Sequence, residues 1–87
     1  NRQQLDRAPA MTSQVRKRSV LIAGHRTSLS LEDDFWHLLR QFADEQGLSV
    51  NSLIAEIDAA RIEAGGLNLS SAVRLFVLRD LRRRAGL

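Results

Sequence analysis

The segment Arg26-Thr27-Ser28-Leu29-Ser30-Leu31-Glu32 alternates between two kinds of side chain and runs straight into an amphipathic helical pattern. No other stretch limits the fold so tightly. The backbone N–H and C=O groups of a strand must be hydrogen-bonded by something. Because the rest of the chain reads mostly as helices, the second strand is expected from another copy of the same chain. The fold class expected is therefore mostly α, with one N-terminal strand per chain pairing across a homodimer. A period of two places Thr27, Leu29 and Leu31 on one face and Arg26, Ser28 and Ser30 on the other. The first face suits packing on helices; the second is small, polar and cationic. A two-stranded antiparallel ribbon of this kind fits the major groove of DNA, where Arg bonds guanine bidentately and Ser bonds several base edges.

At 87 residues the chain makes one domain, near the lower size at which a monomeric core is comfortable, so dimerisation would add useful burial. With no cysteine, neither a disulfide framework nor a thiolate zinc site can form. The longest apolar runs, Val20 to Ala23 and Leu75 to Leu78, are far too short to cross a bilayer, and no signal-peptide pattern opens the sequence. A cytoplasmic protein with no membrane partner is expected. Charge is segregated: residues 1–26 carry six basic side chains against one acid, residues 27–73 two against eight, and residues 74–87 five against one. A basic segment beside the ribbon is what phosphate neutralisation requires, although charge runs are commonly just solvated.

Residues 1–15 are polar, hold the only proline and lack periodicity, so they read as a flexible basic arm ahead of a domain spanning residues 16–87. Met11 can serve as a start, which would make the segment before it a cloning remnant without functional weight. Arg16-Lys17-Arg18 leads into the β-prone run Ser19 to Ala23, which could extend the ribbon. Counting backwards in twos from Ser28 would put Val20 and Ile22 on the polar face, so a bulge or turn at Gly24 is needed to reset the phase. The first helix is expected near Glu32, with Glu32, Asp33 and Asp34 favourable to its dipole and Phe35, Leu38, Leu39 and Phe42 as its apolar stripe. Gly47 is its C-terminal cap. Ser49 is the N-cap of a second helix burying Leu53, Ile54 and Ile57, and Gly65-Gly66 closes it. A third helix, capped by Asn68 or Ser70 and running to about Arg84, is apolar on most sides and should be buried by several neighbours.

Catalysis finds little support. His25 and His37 are far apart, and no Ser/His/Asp or paired-carboxylate arrangement has a recognisable spacing, so the protein is not expected to be an enzyme and no cofactor is implied. His25 could touch phosphate or a carboxylate. A single His lacking a second ligand three or four residues away gives no metal geometry, and no metal site is expected. Asp58 and Arg61 should pair along the second helix. Trp36 belongs to core or interface, and Arg82-Arg83-Arg84 suits a solvated C-terminal turn as well as a DNA footprint.

Strand, helix, tight glycine turn and helix, in that order, resemble the ribbon-helix-helix DNA-binding family of the Arc and MetJ repressors, over about residues 26–62. The most specific piece is Gly47-Leu48-Ser49-Val50-Asn51-Ser52, similar to the inter-helix turn of Arc, preceded by Thr27-Ser28-Leu29-Ser30-Leu31. The wider pattern, Gly24-His25-Arg26-Thr27-Ser28, Phe35-Trp36, Ile57-Asp58-Ala59-Ala60-Arg61 and Asn68-Leu69-Ser70-Ser71-Ala72, looks like a bacterial subfamily with an added third helix. The resemblance implies base contacts by Arg26, Ser28 and Ser30, and a phosphate clamp at the amides of Ser49, Val50 and Asn51, where a helix N-terminus is a ready anion site. The buried Arg-Glu-Arg triad of Arc falls here on Leu48, Leu53 and Ile57, so that ionic cluster is replaced by apolar packing. Two serines in the reading strand leave Arg26 with most of any direct readout.

Two functions follow. The first is a homodimeric DNA-binding protein, a transcriptional regulator of repressor type, with Arg16, Lys17 and Arg18 and the helix amides on phosphates, and a dimer core of Leu29, Leu31, Phe35, Leu39, Leu53 and Ile57. Short ribbons read few bases, so dimers pairing into tetramers are a further expectation. The second is an antitoxin- or adaptor-like module gripping a protein partner through the third helix, with weak or no DNA binding. Full burial of Phe76 and Leu78 would remove the surface that this second function needs.

Overall fold

The structure is a computed structural model and describes residues 14–87. Strands β1 (Val15–Ile22) and β2 (His25–Glu32) are followed by helices α1 (Asp33–Glu45), α2 (Val50–Glu63) and α3 (Leu69–Arg84). The arm expected over residues 1–15 lies, as far as residue 13, outside the described residues, and Val15 already belongs to β1.

The ribbon differs from expectation in one respect. β2 is paired within its own chain, antiparallel to β1, in a continuous register from Val15 opposite Glu32 to Ile22 opposite His25. The expected single strand, completed only by a second copy, is corrected to a hairpin. The cause is the two-residue turn Ala23-Gly24, in which both residues have positive φ, 50° and 81°. This is the backbone of a type I′ turn, whose twist matches that of the flanking strands. The turn also resets the side-chain phase. Ile22 and Val20 share a face with Thr27, Leu29 and Leu31, while Leu21, Ser19 and Lys17 share the other with Arg26, Ser28 and Ser30.

Leu29 and Leu31 are fully buried and pack with Val20 against the helices, whereas Ser28 is exposed, as the alternation requires. In α1 the stripe buries Leu39, Phe42 and Ala43, with Phe35, Trp36 and Leu38 partly covered. Gly47, with φ of 71°, ends the helix turn, and the Leu48 amide donates to the Ala43 carbonyl at 2.9 Å. α2 is capped by Ser49, whose Oγ accepts from the Ser52 amide at 3.0 Å, and buries Leu53, Ile54 and Ile57. α3 is capped by Asn68, whose Oδ1 accepts from Ser71 at 2.8 Å. Leu29, Leu31, Leu39, Leu53 and Ile57 thus form the core of a single chain, and their burial needs no second copy. Phe35 sits at the margin, with the Arg74 guanidinium 6.0 Å from its ring centroid.

α3 is less enclosed than its composition suggests. It buries only Ala72, Val73 and Val77; Phe76 is partly covered, edge-on to Phe42 at 6.4 Å, and Leu78 remains 49% exposed. The helix packs along one side on α2, α1 and β2, which leaves its far side in water. Arg74 ties it to the end of the ribbon through Glu32 at 2.9 Å, and Arg84 lies 4.3 Å over Phe42 while pairing with Glu45 and Asp80. The Glu32 backbone amide and then Arg74 hold the Glu32 carboxyl below its ordinary pKa. No helix among the described residues is long and apolar enough to cross a membrane.

Candidate nucleic-acid interface

Three cross-strand pairs make up the open face of the hairpin: Leu21 with Arg26, Ser19 with Ser28, and Lys17 with Ser30. Lys17, Ser19, Leu21, Arg26 and Ser28 are exposed and Ser30 half-buried. All three residues expected to face bases are therefore side by side. Arg26 extends across the ribbon, its Nη1 donating to Ser19 Oγ at 3.2 Å. That contact is exposed, and water or a base edge can replace Ser19 as acceptor at little cost.

The start of α2 reaches the same face. Asn51 Oδ1 accepts from the Leu21 amide at 3.4 Å, and Asn51, Ser19, Leu21 and Arg26 border one shallow depression. Since Ser49 Oγ is spent on the Ser52 amide, the amides of Val50 and Asn51 are the first-turn donors left for an external acceptor. A helix N-terminus beside a cationic ribbon offers an anion both hydrogen bonds and a favourable dipole.

The three basic residues ahead of the turn separate. Lys17 stands on the open face, but Arg16 and Arg18 face α1, where both meet Asp33, at 3.2 Å and 2.7 Å. Arg18 also stacks 4.5 Å over Trp36, which makes it part of the packing between ribbon and helix. Arg16 keeps most of its side chain in solvent. Asp58 and Arg61 pair at 2.7 Å as expected, and Arg61 also donates to the Leu67 carbonyl. His25 lies exposed at the hairpin tip.

Ser19 and Leu21 were not among the residues picked out from sequence. Their signal was the Gly24 turn: once the phase resets there, both fall on the face of Arg26 and Ser28. Ser19 adds a hydroxyl, and Leu21 adds an exposed apolar side chain able to meet a thymine methyl.

A small twisted hairpin with one polar, cationic face, carried on two helices joined by a tight glycine turn, defines a class of fold. Residues 15–81 match the model of the ribbon-helix-helix domain, and the chain belongs to that family, whose members are generally DNA-binding transcription regulators. Among solved structures it is similar to an uncharacterized protein from Bordetella pertussis Tohama I, at 28% identity and a TM-score of 0.76, over 97% of this chain and 69% of that one. Among curated proteins no sequence matches.

Proposed function

We propose that the protein is a homodimeric transcriptional regulator that inserts its β-hairpin, open face first, into the major groove of DNA. One observation carries this reading. The hairpin presents Arg26, Ser28 and Lys17 exposed on the face opposite the core, with Ser30 half-buried beside them and the α2 N-terminus at its flank. Two strands spaced about 5 Å apart fit a groove about 12 Å wide. Arg26 supplies guanine recognition, Ser19, Ser28 and Ser30 supply shorter-range contacts to base edges, and Lys17, Arg16 and the Val50 and Asn51 amides meet phosphates.

Selection of bound duplexes from a random pool tests this reading. Enrichment of a sequence with two related half-sites is expected. Failure to retain any duplex at low salt would contradict it.

A second reading, a module for a protein partner, keeps its support because Leu78 is half exposed and Phe76 only partly covered. Stoichiometric capture of one partner without retardation of DNA would favour it over the first.

A further inference from the structure

The groove between α2 and α3 joins an apolar floor to a cationic rim. Ile57, Ala60, Leu67, Leu75 and Phe76 supply the floor, and its volume is about 350 Å3. That is near the lower end for a site holding a small organic molecule, roughly 300 to 1,000 Å3. Leu67 is 47% exposed and Phe76 only partly covered, so the floor is open to a ligand. Three guanidinium groups border it, those of Arg61 on α2 and of Arg79 and Arg83 on α3. Among the described residues the one acid on the lining is Asp80, which already accepts from Arg83 Nη2 and, at 2.7 Å, from Arg84 Nε. Arg61 is held by Asp58 and the Leu67 carbonyl. Arg79 makes no ion pair among the described residues, and Arg83 spends only Nη2 on Asp80.

We propose that this groove binds a small amphipathic carboxylate, its apolar body against Ile57, Leu75 and Phe76 and its charge on the Arg79 guanidinium, with Arg83 beside it. Leu75, Arg79 and Arg83 succeed one another at four-residue intervals, so floor and rim run along one side of α3. Each half of the site excludes a different kind of ligand. An inorganic anion would leave the apolar floor in water, and a neutral hydrocarbon would make no use of Arg79. A cation would face three guanidinium groups, with Asp80 already satisfied. A carboxylate matches a guanidinium through two parallel hydrogen bonds, and an apolar tail gains by leaving water. None of the groove residues borders the open face of the hairpin, so the proposal does not depend on DNA binding.

Calorimetric titration with octanoate tests this, beside octanol and octylamine, which share its chain but not its charge. Octanoate is expected to bind at one site per chain, octanol about tenfold more weakly, and octylamine more weakly still. Arg79→Gln, a change at an exposed residue, should raise the dissociation constant for octanoate about tenfold and leave that for octanol unchanged. Ala60→Leu, which fills the floor from an exposed position, should weaken both. No binding of octanoate at millimolar concentration, equal binding of octanoate and octanol, or an Arg79→Gln protein that binds octanoate as wild type does overturns the proposal. Sedimentation velocity supplies a further outcome: a wild-type dimer that Ala60→Leu turns into a monomer would put a second copy in the groove, and that too overturns it. Gel retardation of duplex DNA at low salt is measured apart. Its failure would remove the DNA-binding reading and leave this site standing.

Discussion

On one face of the hairpin Leu29 and Leu31 are sealed from water, and Arg18 is fixed between Asp33 and Trp36. Across the same strands Lys17, Ser19, Arg26 and Ser28 lie in solvent, and Arg26 to Ser19 is the side-chain hydrogen bond they make among the described residues. The contrast teaches that arginine in this ribbon has two uses, which its position in the two-residue alternation separates. Arg18 belongs to the fold because its partners are intramolecular and partly buried, while Arg26 is free to exchange its acceptor for one on another molecule. Changes on the first face should therefore alter stability, and changes on the second should alter binding.

The largest effect should come from the core face. Leu29→Ala is expected to cost about 2 to 5 kcal/mol by urea denaturation, the sum of lost burial and an incompletely collapsed cavity. Ser28→Ala, one residue away, should change stability by under about 0.5 kcal/mol. Comparable losses in the two variants would dissolve the distinction between the faces.

The turn that sets the two faces should respond in the opposite direction. Ala23 holds a φ of 50°, a conformation that asparagine tolerates better than alanine and that favours asparagine before glycine in a type I′ turn. Ala23→Asn is expected to stabilise by about 0.5 kcal/mol, seen as a higher melting temperature, with the hairpin register unchanged. A lower melting temperature would argue against a tight turn at this site.

Smallest is the electrostatic tie between ribbon and α3. Glu32 is held below its ordinary pKa by its backbone amide and Arg74, and Asp80 by Arg83 and Arg84. A carboxyl lowered in the folded state contributes stability that is present above its unfolded pKa, about 4, and is lost as pH falls through the native value. Melting temperature should thus hold from neutral pH to about 5 and drop below it. In Glu32→Gln part of that drop should vanish, at a cost near neutrality of about 0.3 kcal/mol, since the pair is partly exposed. An identical acid profile in the variant would remove Glu32 from the account.

Local signals were the legible ones. The Ser49 and Asn68 caps, the Gly47 turn and the apolar stripes of α1 and α2 each depend on residues within a turn or two, and all three helices lie where those signals put them. The alternation from Arg26 to Leu31 likewise assigned the outward residues of β2. β1 was harder to see as a partner strand. Its first half reads as a basic run, and its phase is opposite to that of β2 until the turn at Ala23-Gly24 is placed. The pairing of Arg18 with Asp33, and of Arg74 with Glu32 across 42 residues, leaves no trace in local periodicity, so the division of labour among the arginines emerges only in three dimensions.

Titration of Arg26→Ala against a selected duplex and against random DNA, at two salt concentrations and beside Lys17→Ala, tests the open face most directly. The account predicts that Arg26→Ala loses about 1 to 3 kcal/mol on the selected duplex and much less on random DNA. Lys17→Ala should weaken both alike and reduce the salt slope by about one. Equal losses on both duplexes for Arg26→Ala, or no loss on either, would contradict the assignment of this face to reading DNA.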